Sequence, residues 1–349
     1  MRAARLYGAA DLRVEDVPHP GSPGPGQVLL RVGAVGICGS DLHTYEDGRI
    51  GDTVLKGPLI MGHEFGGVIE AVGPDAIDGE SRPLVVGTPV AVDPCQTCGQ
   101  CRPCQEGNPN LCLHHRFCGL YPNDGAMCQW MIVPARNCFP VRVGTDWGEV
   151  ALMETLGVAM HAVDLAQIRV ADRVAVLGAG PVGLCIMQCA KLAGASEIYV
   201  TDKLPWRLEL AGKFGGVPLN IEKCDATAAV RETTAGGGVD VVIEAARAGP
   251  AVQQAAEMVR AGGRLTLVGI PGDDRLEMRH SLVRRKGLTI RVARRMKHVY
   301  PRVLRLYRGG RVDLKSLISH RFPLAQAGIA MAMNARYEQG VVKVVVEIG

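Results

Sequence analysis

Short apolar runs separated by glycine- and proline-rich turns fill roughly the first 150 residues of the chain. Residues 28–35, 67–72 and 88–92 are runs of strand length, and no long helical period interrupts them. Apolar runs of this length between turn residues are typical of β-strands. This part of the chain is therefore predicted to be all-β.

The pattern changes near Ala151, where apolar runs begin to alternate with helical periods. The predicted strands are residues 173–177, 197–201, 239–243 and 264–268, and the predicted helices between them are residues 181–193, 206–213 and 251–260. Such alternation implies βαβ units and a parallel sheet with helices on both faces, so the fold class is α/β.

A short tail follows about residue 292. Its pattern predicts helices at residues 300–307 and 324–334 and a last strand at residues 342–348. The tail is too short to be a domain, so we expect it to complete one of the other two. A chain of 349 residues suits two domains that each bury a core.

Composition excludes several classes of protein. Hydrophobic residues make up 47% of the chain, and no apolar run reaches the roughly 18 residues of a transmembrane helix. Residues 1–7 lack the apolar core of a signal peptide. The net charge of +4 is too small to favour nucleic acid. We expect a cytoplasmic protein with a small-molecule substrate, no membrane partner and no nucleic-acid partner.

A glycine-rich turn joins the first strand of the alternating region to its helix. Gly178, Gly180 and Gly183 form G-x-G-x-x-G, and the next strand ends at Asp202. The first glycine permits a tight turn, the second lets the backbone approach a pyrophosphate, and the third permits close helix–strand packing. The helix N-terminus then faces the phosphates with unpaired N–H groups. The sequence therefore predicts a dinucleotide site.

The choice of dinucleotide depends on the end of the second strand. A carboxylate at Asp202 can accept hydrogen bonds from both ribose hydroxyls and would repel a 2′-phosphate, which favours NAD over NADP. Lys203 and Arg207 nearby reduce that preference. The remaining residues assigned to the cofactor are Pro181, Val182, Val268 and Ile270.

Five of the twelve cysteines, Cys95, Cys98, Cys101, Cys104 and Cys112, fall within eighteen residues. In a chain without a secretory signal, such a cluster indicates a metal site rather than a disulfide framework. The last four place four thiolates on one loop, and zinc accepts four sulfurs tetrahedrally in closed structural sites. Spacing alone leaves open a shifted set that starts at Cys95, but the long last gap favours the set that ends at Cys112.

A second set of candidate ligands is dispersed along the chain. It consists of Cys38, His63, Glu64 and Glu154, each in a glycine-rich or apolar setting. A thiolate, an imidazole and a carboxylate with one position left open form a catalytic zinc pattern. Small neighbours around each residue allow the tight backbone packing that such a site needs.

These motifs together give the chain a family resemblance. The matching segments stand in the family's order: residues 36–43 (Gly-Ile-Cys-Gly-Ser-Asp-Leu-His), 47–51, 62–64, the four-cysteine loop, the glycine-rich turn and residues 319–324. On these segments the sequence resembles the zinc-containing medium-chain dehydrogenases, and most of all their sorbitol (polyol) and threonine dehydrogenase branch. The match runs over nearly the whole chain.

The resemblance implies a fold and an assembly. It implies a GroES-like, β-rich catalytic domain built from residues 1–155 and 293–349, with a central Rossmann NAD-binding domain at residues 156–292. It also implies a homotetramer or homodimer with two zinc ions per subunit, one catalytic and one structural.

The resemblance also implies roles for single residues. Cys38, His63 and Glu64 would bind the catalytic zinc, and Glu154 would be either the fourth ligand or the carboxylate that holds the zinc-bound water. Ser40 and His43 match the proton relay. The structural zinc would be held by Cys98, Cys101, Cys104 and Cys112.

Three departures from the family pattern stand out. Thr155 follows Glu154 where the family often has proline, and Glu244 is followed by Ala-Ala-Arg without the usual glycine. Where polyol enzymes tend to carry Phe-Arg-Tyr, this chain has Ala293-Arg294-Arg295. The arginine is kept and the aromatic partners are lost, which weighs against sorbitol itself.

Residues 279–311 hold twelve lysines and arginines and no acidic residue. One interpretation is a solvated helix face with subunit contacts. The other concerns Arg294, Arg295 and Lys297, which the resemblance places near the substrate, where guanidinium groups would favour a carboxylate or phosphate.

The predicted function is a zinc-dependent oxidoreductase that transfers hydride between a secondary alcohol and NAD to give a ketone. The expected substrate is a polyol, sugar acid or sugar phosphate. The alternatives are a threonine-type or aldose (glucose) dehydrogenase and, from another class, a non-catalytic dinucleotide-binding protein.

Overall fold

A computed structural model describes residues 1–338 and 340–349 of the chain. They form two compact units. The split unit, which uses both ends of the chain, comprises Met1–Thr155 and Tyr300–Gly349. The central unit comprises Leu156–Val299.

The second change of unit falls later than the sequence suggests. Sequence reasoning returned the chain to the first domain at residue 293, whereas residues 293–299 stay with the central unit. The Ala293 N–H donates to the carbonyl of Leu267 at 2.8 Å. Met296 and Val299 also lie directly against Gly157, so this segment is packed onto its own unit.

The N-terminal part of the split unit is rich in short strands. These are β1 (Arg2–Leu6), β2 (Leu12–Asp16), β3 (Gln27–Gly36), β4 (Arg49–Ile50), β5 (Thr53–Val54), β6 (Leu59–Ile60), β7 (Glu64–Val72), β8 (Pro89–Val92), β9 (Cys95–Gln96), β10 (Arg116–Phe117), β11 (Trp130–Pro134) and β12 (Cys138–Pro140). The helices here are α1 (Gly39–Asp47), α2 (Arg102–Gln105) and the start of α3 (Trp147–Ala166), with 3-10 turns at Pro109–Leu111 and Ala135–Asn137.

The central unit alternates strands with helices. Its strands are β13 (Arg173–Leu177), β14 (Glu197–Asp202), β15 (Val217–Asn220), β16 (Val239–Glu244), β17 (Val259–Leu267) and β18 (Thr289–Val292). Its helices are α4 (Pro181–Leu192), α5 (Pro205–Lys213), α6 (Ala226–Thr233), α7 (Gly249–Met258) and α8 (His280–Lys286).

The C-terminal segment returns to the split unit. It contains α9 (Tyr300–Arg308), β19 (Ile318–Pro323), α10 (Ala327–Ala335) and β20 (Lys343–Glu347), with 3-10 turns at Lys315–Leu317 and Leu324–Gln326.

Strand β3 organises the main sheet of the split unit. The sheet runs in the order β12-β8-β7-β3-β20-β19, and β11 also pairs with β3. The pairings of β3 with β7, β11 and β20 are antiparallel. Strand β20 therefore lies beside β3 although the two are far apart in the sequence, and this pairing draws both chain ends into one core that includes Val32, Val90 and Val344.

The central sheet is parallel throughout. Its order is β15-β14-β13-β16-β17-β18, which is 3-2-1-4-5-6 when counted from β13. This is the strand order of a doubly wound Rossmann sheet, and it confirms the predicted α/β fold class. Ligands of such sheets bind outside the carboxyl ends of the strands where the order reverses, here between β13 and β16.

Helices depart most from the predicted pattern. The first 150 residues are not all-β, because α1 and α2 interrupt the strands. Helix α3 is buried on nearly all sides, so its sequence is apolar without a helical period. Among the described residues, no helix combines the length and apolar character that a membrane span requires.

Two predicted helices have other bounds. The helix expected at residues 251–260 ends at Met258, because Val259 and Arg260 belong to β17. The helix expected at residues 324–334 starts as a 3-10 turn and becomes α-helical only at Ala327.

Candidate metal centre and cofactor turn

The pairing of β3 with β7 brings three candidate ligands together. Gly36 at the end of β3 lies opposite Glu64 at the start of β7. Cys38 follows β3 and caps α1, and His63 immediately precedes β7. The sulfur of Cys38, a ring nitrogen of His63 and a carboxylate oxygen of Glu64 lie within 4.8 Å of one another. Sulfur, nitrogen and oxygen donors gathered in this way fit a zinc ion.

Asp41 supports two of these three residues. Its Oδ2 accepts from the backbone N–H of Cys38 at 2.9 Å, and its Oδ1 lies 3.3 Å from Nδ1 of His63. Burial disfavours a charged imidazole, but Asp41 and Cys38 outweigh it and raise the pKa of His63 well above its usual value. Because Asp41 engages Nδ1, the Nε2 atom of His63 is the one left to face a metal.

Glu64 is held by an ion pair in the interior. The Lys343 Nζ lies 2.5 Å from Oε2 and 2.8 Å from Oε1 of Glu64, and both side chains are almost fully buried. The hydroxyl of Thr155 donates to Oε1 at 3.0 Å. Burial opposes the charge on Lys343, yet Glu64 raises the pKa of the ammonium, so Lys343 keeps its positive charge.

Glu154 lies outside the three-residue group. It is buried on α3, and burial together with Glu64 raises the pKa of its carboxyl to about 8, although His63 and Lys343 act in the opposite direction. Glu154 therefore interacts electrostatically with His63 and Glu64 of the group and with Lys343. These interactions are compatible with both roles that the resemblance left open for Glu154, which are the fourth zinc ligand and the carboxylate that holds the zinc-bound water.

The two relay candidates both lie on α1. The Ser40 hydroxyl is 3.3 Å from Nε2 of His63. His43 is buried one helical turn later, with its Nδ1 3.9 Å from a carboxylate oxygen of Asp47.

An aromatic ring covers one side of His63. The ring centroids of His63 and Phe117 are 5.2 Å apart and tilted by 49°. Phe117 reaches this place because β10 pairs with β9, which puts Phe117 opposite Cys95. Sequence reasoning missed Phe117, since nothing in its neighbourhood distinguishes it from an ordinary core aromatic.

The second group of donors comes from a single loop. The sulfurs of Cys98, Cys101, Cys104 and Cys112 all lie within 4.8 Å of one another. Cys101 caps the short helix α2. Cys112 directly follows the 3-10 turn, which returns the chain to the start of the loop. Cys95 is not part of this group, so the shifted set is not the one that the fold assembles.

Backbone N–H groups point at these sulfurs. The N–H of Cys98 donates to the sulfur of Cys112, and that of Cys101 donates to the sulfur of Cys98, both at 3.3 Å. Backbone donors from Leu113 and Cys104 lower the pKa of the Cys101 thiol to about 6. Burial and the neighbouring sulfurs of Cys101 and Cys112 raise the pKa of the Cys104 thiol to about 12, so the backbone donors favour a thiolate at Cys101 in particular. Four sulfurs gathered in this way fit a closed structural zinc site, in which they would bind the metal as thiolates.

The glycine-rich turn has the geometry that a dinucleotide needs. Gly178 has a φ of 98°, and a side chain on Gly183 would overlap the carbonyl oxygen of Gly178. Gly180 caps α4, whose first two residues are Pro181 and Val182. A Cβ at Gly180 would meet only the Arg207 guanidinium, at 3.7 Å, so the space before the helix N-terminus is open for a phosphate.

Asp202 stands at the end of β14 and stabilises this turn. Its Oδ2 accepts from Ala179 N–H at 2.8 Å, and its Oδ1 accepts from Leu204 N–H at 2.9 Å. Lys203 beside it is exposed, and Arg207 on α5 is buried against the turn. A carboxylate and a guanidinium therefore flank the same edge of the sheet.

Glu244 is a buried carboxyl behind the turn that sequence reasoning did not assign. Its Oε1 accepts from Ala246 N–H at 2.6 Å, and its backbone carbonyl accepts from Val268 N–H at 2.8 Å. Burial raises the pKa of Glu244 to about 7. A side chain on Gly269 would collide with this carboxyl, so Glu244 fixes the loops after β16 and β17, including exposed Ile270.

Arg294 and Arg295, the predicted substrate residues, follow β18 in the central unit. Arg295 has a φ of 53°, in the left-handed region that a non-glycine residue seldom occupies. Cys38, His63 and Glu64 belong to the split unit. In the same basic stretch, Lys286 donates to three backbone carbonyls near the end of α7, which is a structural use of one of its charges.

Comparison with known proteins gives matches over both units. Residues 24–143 match the alcohol dehydrogenase GroES-like domain, and residues 181–308 match the zinc-binding dehydrogenase domain. Sorbitol dehydrogenase of Bacillus subtilis is 36% identical over 99% of this chain and 97% of its own. L-idonate 5-dehydrogenase of Vitis vinifera is 32% identical over 97% of this chain and 92% of its own. A zinc-binding dehydrogenase of Sinorhizobium meliloti, solved with NADP, superposes with a TM-score of 0.89 at 30% identity, with 99% of each chain covered.

Proposed function

Because the chain belongs to the zinc-containing medium-chain dehydrogenases, in their polyol dehydrogenase branch, we propose that it oxidises a secondary alcohol to a ketone and transfers the hydride to NAD. The observation that carries the proposal is the convergence of Cys38, His63 and Glu64, whose ligand atoms lie within 4.8 Å of one another. A non-catalytic dinucleotide-binding protein would have no use for this set together with Ser40.

Cys38, His63 and Glu64 are the residues that would hold the catalytic zinc, with Glu154 as fourth ligand or as the carboxylate that holds a water. Zinc bound there would act as a Lewis acid that polarises the substrate oxygen and lowers the pKa of its hydroxyl. Asp41 keeps the imidazole of His63 in one orientation through Nδ1.

Ser40 is the first proton acceptor in the proposed mechanism. Its hydroxyl lies 3.3 Å from His63 Nε2, beside the three-residue group, where it is proposed to accept the proton of the substrate hydroxyl while it donates its own proton to the next member of the relay. His43, on the same helix, is proposed to carry that proton onward. The Phe117 ring packs against His63 and is proposed to limit the access of water to that side of the imidazole, which would strengthen electrostatic interactions there.

NAD is the proposed cofactor. The open space at Gly180 accepts a pyrophosphate, and the Asp202 carboxylate at the end of β14 would repel a 2′-phosphate. Arg207 beside the turn acts against this preference, and the relative from Sinorhizobium meliloti was solved with NADP. The cofactor supplies the hydride chemistry, while the protein orients its reactive ring.

The four-cysteine loop is proposed to hold a second, structural zinc. Four sulfurs within 4.8 Å leave no position for a substrate. We further propose a homodimer or homotetramer, on family likeness.

The proposed substrate is a polyol, sugar acid or sugar phosphate. Two relatives are a sorbitol dehydrogenase and an L-idonate 5-dehydrogenase, and Arg294 and Arg295 stand where polyol enzymes tend to have Arg-Tyr. Guanidinium groups pair with carboxylates and phosphates in bidentate fashion. A threonine-type or aldose dehydrogenase is the second candidate, separated by activity on threonine or glucose.

The test is a substrate panel that follows the absorbance of reduced nicotinamide, with zinc content measured on the same sample. The panel contains sorbitol, sugar acids, sugar phosphates, threonine, glucose, ethanol and benzyl alcohol, each with NAD and with NADP. We expect the polyol and acidic sugars to lead with NAD. Ethanol or benzyl alcohol ahead of all of them would refute the substrate class, and full activity of zinc-depleted Cys38→Ser protein would refute the metal centre.

A further inference from the structure

Thr155 stands where the family often has proline, and the fold uses its hydroxyl. Oγ1 donates to Oε1 of Glu64 at 3.0 Å, and both side chains are buried. The bond joins α3 to β7 across 91 residues of sequence. Proline carries no hydroxyl, so a relative with proline here lacks this bond.

Lys343, on β20, binds the same Glu64 carboxylate. Its ammonium donates to both oxygens of Glu64, at 2.5 and 2.8 Å, and to the carbonyl of Ile37 at 3.0 Å. All three ammonium hydrogens are thereby used. Any rotation of the Glu64 carboxylate would leave buried donors without a partner, which is costly in the interior.

The acceptor capacity of Glu64 is nearly filled. An ionised carboxylate offers about four acceptor positions, of which Lys343 takes two and Thr155 one, so about one remains. Gly36 also lies close against the carboxylate, since a Cβ there would collide with Oε2. The carboxylate is therefore locked in one orientation.

Orientation is what this locked carboxylate has to offer a cation. The ammonium of Lys343 offsets its negative charge, so an ion bound by Cys38 and His63 gains from Glu64 chiefly an oxygen fixed in place. Partners that fix a metal ligand matter: their loss typically costs about 10- to 100-fold in metal affinity or activity.

We propose that Thr155 is a positioning residue of the metal centre: together with Lys343 it locks Glu64, so that the metal ion leaves the Cys38–His63–Glu64 group more slowly than it would without the Thr155 hydroxyl. This inference rests on the proposed function, because it takes that group to be the catalytic zinc site. It concerns a residue in which this chain departs from its family.

The test measures the release of zinc from the holoprotein to a coloured chelator. Comparison with Cys38→Ser protein identifies the zinc pool of the three-residue group, and the four-cysteine loop is the internal reference. In Thr155→Val, a close isostere, we expect the Cys38-dependent pool to leave about 10-fold faster, while the other pool is unchanged. Thr155→Ser, which restores a hydroxyl, should return the wild-type rate.

Two further variants keep the test decisive. Thr155→Ala removes the hydroxyl with less bulk and must accelerate the same pool, even if the valine variant fails to fold. Thr266→Val, at a buried threonine of β17 in the central unit, is the matched control and should leave both pools unchanged. Wild-type release from Thr155→Val or Thr155→Ala, or equal acceleration of both pools, overturns the inference alone. Unchanged zinc content in Cys38→Ser overturns the metal centre and the inference with it.

Discussion

The split unit and the central unit build their sites in opposite ways. In the split unit, side chains from β7, α1, α3 and β20 meet, and buried charges stand in opposite pairs, Asp41 with His63 and Glu64 with Lys343. In the central unit, the site is a continuous turn of backbone, and its buried carboxyl, Glu244, is met by a backbone N–H.

The difference shows two ways to keep an acid inside a protein. In the split unit, the buried acid Glu64 lies 2.5 Å from the ammonium of Lys343, a partner of opposite charge. Burial without such a partner raises the pKa of Glu244 instead, so that it holds a proton near neutrality.

The largest effect is expected when the group of Cys38, His63 and Glu64 in the split unit loses one of its ligands. Replacing Cys38 with serine removes a thiolate ligand, so kcat/KM should fall at least about 1000-fold, as expected when several kcal/mol of Lewis-acid stabilisation are lost. NADH affinity, measured by fluorescence titration, should stay at the wild-type value because the turn is untouched. Cys224→Ser, at an exposed cysteine of the central unit, is the control. Equal losses of activity and NADH affinity in Cys38→Ser would contradict the independence of the two sites.

The second effect concerns Glu244, the buried acid of the central unit that contacts a backbone N–H rather than an ammonium. Burial raises the pKa of Glu244 from 4.5 to about 7, so the contribution of Glu244 to wild-type stability is greatest below about pH 4.5 and is lost as the pH rises to about 7. Glu244→Gln does not titrate, so its free energy of unfolding relative to wild type should rise with pH by roughly 3 kcal/mol. Urea unfolding at about pH 5 and about pH 8 measures the difference. Parallel behaviour of the two proteins at both pH values would show that Glu244 is charged when folded.

A smaller effect is expected at Asp41, which contacts both Cys38 and His63. Asp41→Asn keeps the shape of the side chain but removes the charge beside His63 Nδ1, so kcat/KM and zinc affinity should each fall about 10- to 100-fold. Asp16→Asn, at an exposed position of β2, is the matched control. Loss of thermal stability without loss of zinc affinity would mean that Asp41 serves only to cap α1.

The smallest effect tests the backbone site. A Cβ at Gly183 overlaps the carbonyl oxygen of Gly178, so Gly183→Ala should destabilise the protein by about 1 to 3 kcal/mol and weaken NADH binding. Gly212→Ala, in α5 with open space around it, should instead leave NADH binding intact. Wild-type NADH affinity in Gly183→Ala would show that the turn tolerates the shift.

Sequence reasoning succeeded where chemistry and spacing are local. The strand–turn–helix around Gly178 and the loop from Cys98 to Cys112 each lie within a few dozen residues, and their spacing carries their geometry. Cys38, His63 and Glu64 were found through the motifs around them, and the β3–β7 pairing brings them together.

What sequence reasoning missed is long-range or lacks periodicity. Lys343 meets Glu64 across 279 positions, and no spacing rule predicts such a contact. Thr155 was noted only as a departure from the family, since a hydroxyl gives no sign of its partner. Helix α3 was not predicted, because a helix that is buried on nearly all sides has no polar face that would show the helical period.

Strand β20 sets an order of events during synthesis on the ribosome. The central unit, Leu156–Val299, is complete once its own residues have emerged, and domains generally fold as units in the order of synthesis. The group of Cys38, His63 and Glu64 cannot reach its final arrangement at that stage, because Lys343 is translated long after Cys38 and Glu64. Until β20 inserts beside β3, Glu64 lacks the ammonium of Lys343, so the proposed metal site can take its final form on the nascent chain only after Lys343 has been translated.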